Sequence, residues 1–105
     1  MGIKSEIESL INKKEVCLFM NGVPEAPQCG FSMAVSNILK HLNVNFNSVN
    51  VLENEEIRNG IKVYSDWPTI PQLYIKGEFI GGSDIIKEMF ENGELKKLLE
   101  EKSII

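Results

Sequence analysis

The sequence predicts an α/β fold, a mixed four-stranded sheet with helices on both faces. Three observations predict it. Val16-Cys-Leu-Phe-Met20 is an unbroken apolar run, as a central strand covered on both faces requires. A helical pattern and a second strand follow it, so these two strands are parallel with a right-handed crossover. Gln72-Leu-Tyr-Ile75 and Glu78-Phe-Ile-Gly81, joined by Lys76-Gly77, read as an antiparallel hairpin.

Each element has a local cause. The first helix carries Ile3, Ile7, Leu10 and Ile11 on one face, and the capping-box spacing of Ser5 and Glu8 starts its regular part at Ser5. Strand one runs from about Glu15 to Met20. Pro24 and Pro27 then stiffen a loop. The second helix spans Gly30 to His41, with Phe31, Ala34, Val35, Ile38, Leu39 and Leu42 at helical spacing. Asn43-Val-Asn45 turns the chain into strand two, about Phe46 to Val51. Asn54 caps the third helix, Glu55 and Glu56 suit its positive end, and Ile57, Ile61 and Tyr64 face inward. Arg58 and Lys62 share the opposite face. Pro68 and Pro71, with Trp67 before them, make a rigid joint into strand three. After strand four, Gly82 permits close backbone approach and Ser83 caps a helix using Ile86, Met89 and Phe90. Asn92-Gly93 ends it. A last helix carries Leu95, Leu98 and Leu99, and the tail Ser103-Ile-Ile is expected to fray. The strand order is two-one-three-four, strand three antiparallel to strand one. That is the thioredoxin-like layout.

The 105 residues suit one domain over 1–105, large enough for a core without staples. The net charge of −4, with no basic cluster, argues against nucleic acid as a partner. No apolar run reaches membrane-spanning length, so no membrane association is expected. The N-terminus lacks signal-peptide character. The expectation from these features is a soluble protein of the cytoplasm, or of the mitochondrial matrix if a transit segment has been removed.

Chemistry concentrates at Cys29. The strand and the Pro-rich loop deliver it to the start of the second helix, whose unpaired N–H groups and dipole favour an anion. A thiol there loses its proton more readily, and the thiolate is the reactive, metal-binding form. Gly30 leaves the sulfur unshielded, and the Ser32 hydroxyl is in reach to donate to it. Cys17 is mid-strand and reads as an inert core residue. His41 reads as a surface residue near a helix end, and zinc-ligand spacing is missing.

Three motifs in order carry a resemblance over nearly the whole chain. Cys29-Gly-Phe-Ser32 follows Gly22-Val-Pro-Glu-Ala-Pro-Gln28; Trp67-Pro-Thr-Ile-Pro-Gln-Leu-Tyr74 and Gly81-Gly-Ser-Asp84 come after. Together they resemble a single-domain monothiol glutaredoxin of the Cys-Gly-Phe-Ser class. The resemblance implies that Cys29 is the active thiol and iron ligand, with Phe31 beside the metal centre. It implies a cis bond at Ile70-Pro71, with the Ile70 backbone free to pair glutathione as an added strand. Arg58 would take the glycyl carboxylate of glutathione. Gly82, Ser83 and Asp84 would hold its γ-glutamyl end: N–H groups for the carboxylate, the Asp84 side chain for the ammonium. The class binds a [2Fe–2S] cluster between two subunits with two glutathione thiols, and serves iron–sulfur acceptor proteins with a BolA-like partner. One accessible sulfur per chain agrees with sharing.

Two departures stand out. Asn21 replaces the usual Lys, which implies weaker glutathione binding. Ser83 replaces the cysteine of many relatives, which removes a disulfide between that site and Cys29. The alternative function is a glutathione-dependent monothiol oxidoreductase acting on protein–glutathione mixed disulfides. The long Val23–Gln28 loop implies that such exchange is slow. A third reading is a thioredoxin-fold interaction module.

Overall fold

A computed structural model describes residues 2–105. The elements run α1 (Ile3–Ile11), β1 (Val16–Met20), β2 (Gly22–Val23), β3 (Ala26–Pro27), α2 (Gly30–His41), β4 (Asn47–Asn50), a 3-10 turn (Val51–Glu53), α3 (Glu55–Ser65), β5 (Gln72–Ile75), β6 (Glu78–Gly81), α4 (Ser83–Glu91) and α5 (Glu94–Glu101). The main sheet has the order β4-β1-β5-β6. β1 is parallel to β4 and antiparallel to β5, and β5–β6 is the expected hairpin. This is the thioredoxin-like arrangement expected from the sequence.

β1 is central and buried along its whole length. Its alternating side chains feed two cores, because successive residues of a strand face opposite sides. Val16, Leu18 and Met20 pack with Val35, Leu39, Ile86, Leu95 and Leu99, below α2, α4 and α5. Cys17 and Phe19 pack with Ile7, Ile11, Ile57, Ile61 and Tyr74, below α1 and α3.

Four local expectations need correction. α1 starts at Ile3 with Gly2 as N-cap, and no side chain caps it, so Ser5–Glu8 is not a capping box. Ile3 packs on the α3 side of the core, and that contact carries the helix upstream of Ser5. The approach to Cys29 is not a plain loop; β2 and β3 pair within it, Gly22 opposite Pro27 and Val23 opposite Ala26. Ser83 does not cap α4; Gly82 holds the N-cap position, without a side-chain bond. The tail is not frayed: the Ser103 and Ile104 N–H groups donate to Glu100 and Leu99, a Schellman closure that lays Ile104 on the core.

Candidate active site

The site is built outward from the C-terminal end of β1. Asn21 leaves the sheet with its N–H donating to the buried Ser32 hydroxyl at 3.0 Å. Gly22 follows at φ +91°, a conformation glycine adopts without strain. Its N–H donates to Asn50 Oδ1 at 2.9 Å, and the Gln28 N–H returns to the Asn21 carbonyl at 3.0 Å. Lys40 Nζ donates to the Pro24 carbonyl at 2.7 Å, tying the hairpin to α2. The hairpin therefore closes on itself and sets Cys29 down as the N-cap residue of α2.

Cys29 is partly exposed and in no disulfide. Its thiol is held below its ordinary range, chiefly by the Ser32 backbone N–H. The Phe31 N–H, the Asn21 side chain and the Ser32 hydroxyl add to this, and partial burial opposes it. The support comes mainly from orphan amides at the helix start, so the thiol is shifted toward ionisation without a cation at position 21. Asn21 contributes as a neutral donor, and its Oδ1 is buried without a partner. Cys17 is the opposite case. It is fully buried, and burial pushes its thiol up to about 12.

A groove of about 250 Å³ begins at Phe31, two residues beyond Cys29; Cys29 and Asn21 themselves do not line it. Of the residues singled out in the sequence, Phe31, Ile70, Pro71, Gly82, Ser83 and Asp84 line it. Phe31 does not turn inward with the apolar face of α2, as its spacing suggested; it is 63 % exposed at the groove's rim. The Ile70-Pro71 bond is cis. Among the described residues, no backbone hydrogen bond outside the helices and strands engages the Ile70 N–H or carbonyl. A side chain at Gly82 would put its Cβ 3.1 Å from Trp67 Nε1 and 3.3 Å from the Pro71 carbonyl, a tight fit that needs the neighbours to shift by a few tenths of an ångström. The first-turn N–H groups of α4 open beside it.

Arg58 is not part of the lining. It is exposed on α3, and among the described residues neither ion pair, Lys76–Glu15 or Lys102–Glu78, involves it. Lys62, one turn on, borders a separate recess with Asp66, Trp67 and Pro68. The groove also uses Trp67, Thr69 and Ile85, which the sequence reading did not assign to the site. A larger recess of about 810 Å³ lies between α1 and α3, and neither cysteine lines it.

A substitution at Asn21 tests the electrostatic account. Asn21→Lys is expected to lower the Cys29 pKa further, because a cation favours the thiolate. Asn21→Leu removes a donor and is expected to raise it. Thiolate absorbance followed against pH reads both, and identical titrations in all three proteins would contradict the assignment.

The arrangement of a thiol on a helix start, a cis-proline loop and a second helix start has relatives. A family profile described as Glutaredoxin matches residues 16–80. The chain is 55 % identical over 98 residues to Monothiol glutaredoxin-S14, chloroplastic, of Arabidopsis thaliana, covering 93 % of this chain and 57 % of that protein. It is 52 % identical over 97 residues to a monothiol glutaredoxin described as ycf64-like in Synechocystis sp., covering 92 % and 91 %. The solution structure of reduced poplar apo GrxS14 superposes with a TM-score of 0.83 at 52 % identity, covering 94 % of this chain and 91 % of that one. Some relatives are much longer; the chain spans 21 % of Monothiol glutaredoxin-S17 of Arabidopsis thaliana. The lone thiol at the head of α2 and the matches on either side of it agree, and the chain belongs to the glutaredoxin family, in its monothiol branch.

Proposed function

We propose that this chain carries [2Fe–2S] clusters to iron–sulfur acceptor proteins, each cluster held by Cys29 of two chains and by two glutathione thiols. The observation that carries the reading is the contrast between the two sulfurs. Cys29 is accessible and inclined to ionise, whereas Cys17 is sealed in the core. Such a cluster needs four thiolates. Among the described residues, no group of three or more His, Cys, Asp or Glu could hold a metal. The cargo then takes its remaining ligands from a second chain and from small thiols, and ligands that dissociate suit a protein that must give the cluster away.

The groove suits glutathione. The Ile70 backbone pairs with the tripeptide as an added strand, the Ser83 and Asp84 N–H groups receive its γ-glutamyl carboxylate, and the Asp84 side chain receives its ammonium. Arg58 and Asn21 complete its contacts in this reading, and Phe31 shields the cargo. A BolA-like partner fits the same exposed face. Anaerobic reconstitution with iron, sulfide and glutathione tests the proposal. Visible cluster absorption and a dimer on sizing are expected, and both vanish without glutathione. Failure to take up iron with any thiol present overturns it.

A second reading is favoured by the depressed Cys29 pKa. The Cys29 thiolate attacks the glutathionyl sulfur of a protein mixed disulfide, and the protein leaves as its own thiolate. A second glutathione thiolate then attacks the glutathionyl sulfur bound to Cys29, releasing glutathione disulfide and restoring the Cys29 thiolate. Turnover of a small mixed disulfide in a coupled glutathione assay distinguishes this activity from cluster carriage.

A further inference from the structure

We infer that Gln72 is a positioning residue for peptide binding in the groove, acting through the 67–71 loop; this rests on the glutathione reading above. Gln72 is fully buried, and it is not among the residues lining the groove. A buried primary amide is costly unless its donors and acceptor are matched. Here they are. Nε2 donates to the Trp67 carbonyl at 3.1 Å and to the Thr69 carbonyl at 3.2 Å, while Oε1 accepts from the Tyr74 hydroxyl at 3.1 Å.

The two ends of this network differ in kind. Tyr74 is fixed in the core, its ring 5.7 Å from Phe19 and 5.4 Å from Phe79. Trp67 and Thr69 belong to the groove wall. The Trp67 ring lies 5.8 Å from Phe79 and Ile70 packs on the α1–α3 core, but the backbone of that wall has few other anchors. Pro68 and Pro71 have no N–H, and among the described residues Trp67 is the only member of 67–71 whose backbone N–H makes a hydrogen bond outside the helices and strands. One side chain thus ties two carbonyls of the wall to the rigid sheet. Its two donors fix the spacing of the loop, and the Ile70 backbone follows one residue after Thr69. A peptide that pairs with Ile70 as a strand needs that backbone held in register, since strand pairing tolerates little displacement.

Calorimetric titration with reduced glutathione tests the inference. Gln72→Leu removes both loop bonds and is expected to weaken glutathione about tenfold, the worth of one or two net hydrogen bonds. The rate of Cys29 alkylation at each pH stays unchanged, because the thiol's own supports are untouched. Tyr74→Phe keeps both loop bonds and is expected to hold affinity within about twofold. An equal loss in both variants indicates a merely structural network and overturns the inference, as does a folded Gln72→Leu with normal affinity. In the unaltered protein, the Gln72 side-chain N–H protons are expected to exchange slowly and to shift when glutathione is added. Fast exchange or no shift overturns the inference even if Gln72→Leu does not fold. Unaltered protein that binds no glutathione refutes the proposed function itself, a result distinct from all of these.

Discussion

Cys29→Ser is expected to abolish cluster uptake and glutathione exchange together while leaving the fold intact. A serine hydroxyl does not ionise near neutral pH, so the helix-start amides that favour the thiolate have no anion to favour. Cys29 is partly exposed and outside both cores, so the stability change should stay within about 0.5 kcal/mol. Cys17→Ser should do the reverse. It puts a hydroxyl in a fully buried position and is expected to cost roughly 1–3 kcal/mol, with cluster uptake retained. Chemical denaturation and anaerobic reconstitution on the two variants read the contrast directly. Residual cluster binding by Cys29→Ser would remove the basis for the proposed function.

Gly22→Ala is expected to produce the largest loss of stability among single small substitutions near the site. At φ +91° an added Cβ is strained, and it would stand 2.7 Å from the Ala26 carbonyl and 2.8 Å from the Gln28 backbone nitrogen. Both neighbours are backbone, so neither can rotate away. The strain alone is worth on the order of 1–3 kcal/mol, and the contacts add to it. Relief is expected through opening of the β2–β3 hairpin, which would shift Gln28 and with it Cys29. Denaturation should show the loss, and thiol alkylation at neutral pH should slow. A variant with unchanged stability and unchanged alkylation would mean that the hairpin does not position the sulfur. Gly30→Ala is the natural control, because a Cβ there meets nothing within 4 Å.

The elements that were legible in the sequence are those with a strong period or a strong break. The apolar run Val16–Met20, the Lys76-Gly77 turn and the Asn54 cap each announce their structure locally, and each is present. The β2–β3 hairpin was not legible because two-residue strands have no period, and its prolines read as loop. Ser83 looked like a cap by residue type. The helix instead begins one residue earlier, with Gly82 as its N-cap, at a place where an added Cβ would come close to Trp67 and Pro71. Of the residues singled out for the site, the groove gathers those near the cis-proline loop and the start of α4. Arg58 stands apart on α3. The supports of the thiol are largely backbone N–H groups, as a cysteine at a helix start leads one to expect, while the Asn21 side chain adds a donor that only the fold brings near. The role of Gln72 is not legible because β5 is buried along its whole length, and the partners of this side chain are carbonyls three and five residues back, brought to it by the loop's path.

With one outward sulfur per chain and the other locked under α1 and α3, the proposed load is a bimolecular property. Occupancy then rises with the product of two chain concentrations, so dilution by itself favours unloading. A recipient that gathers all its own donors on one polypeptide escapes that dependence. The direction of transfer is thereby biased by mass action, before any specific recognition between donor and recipient is invoked.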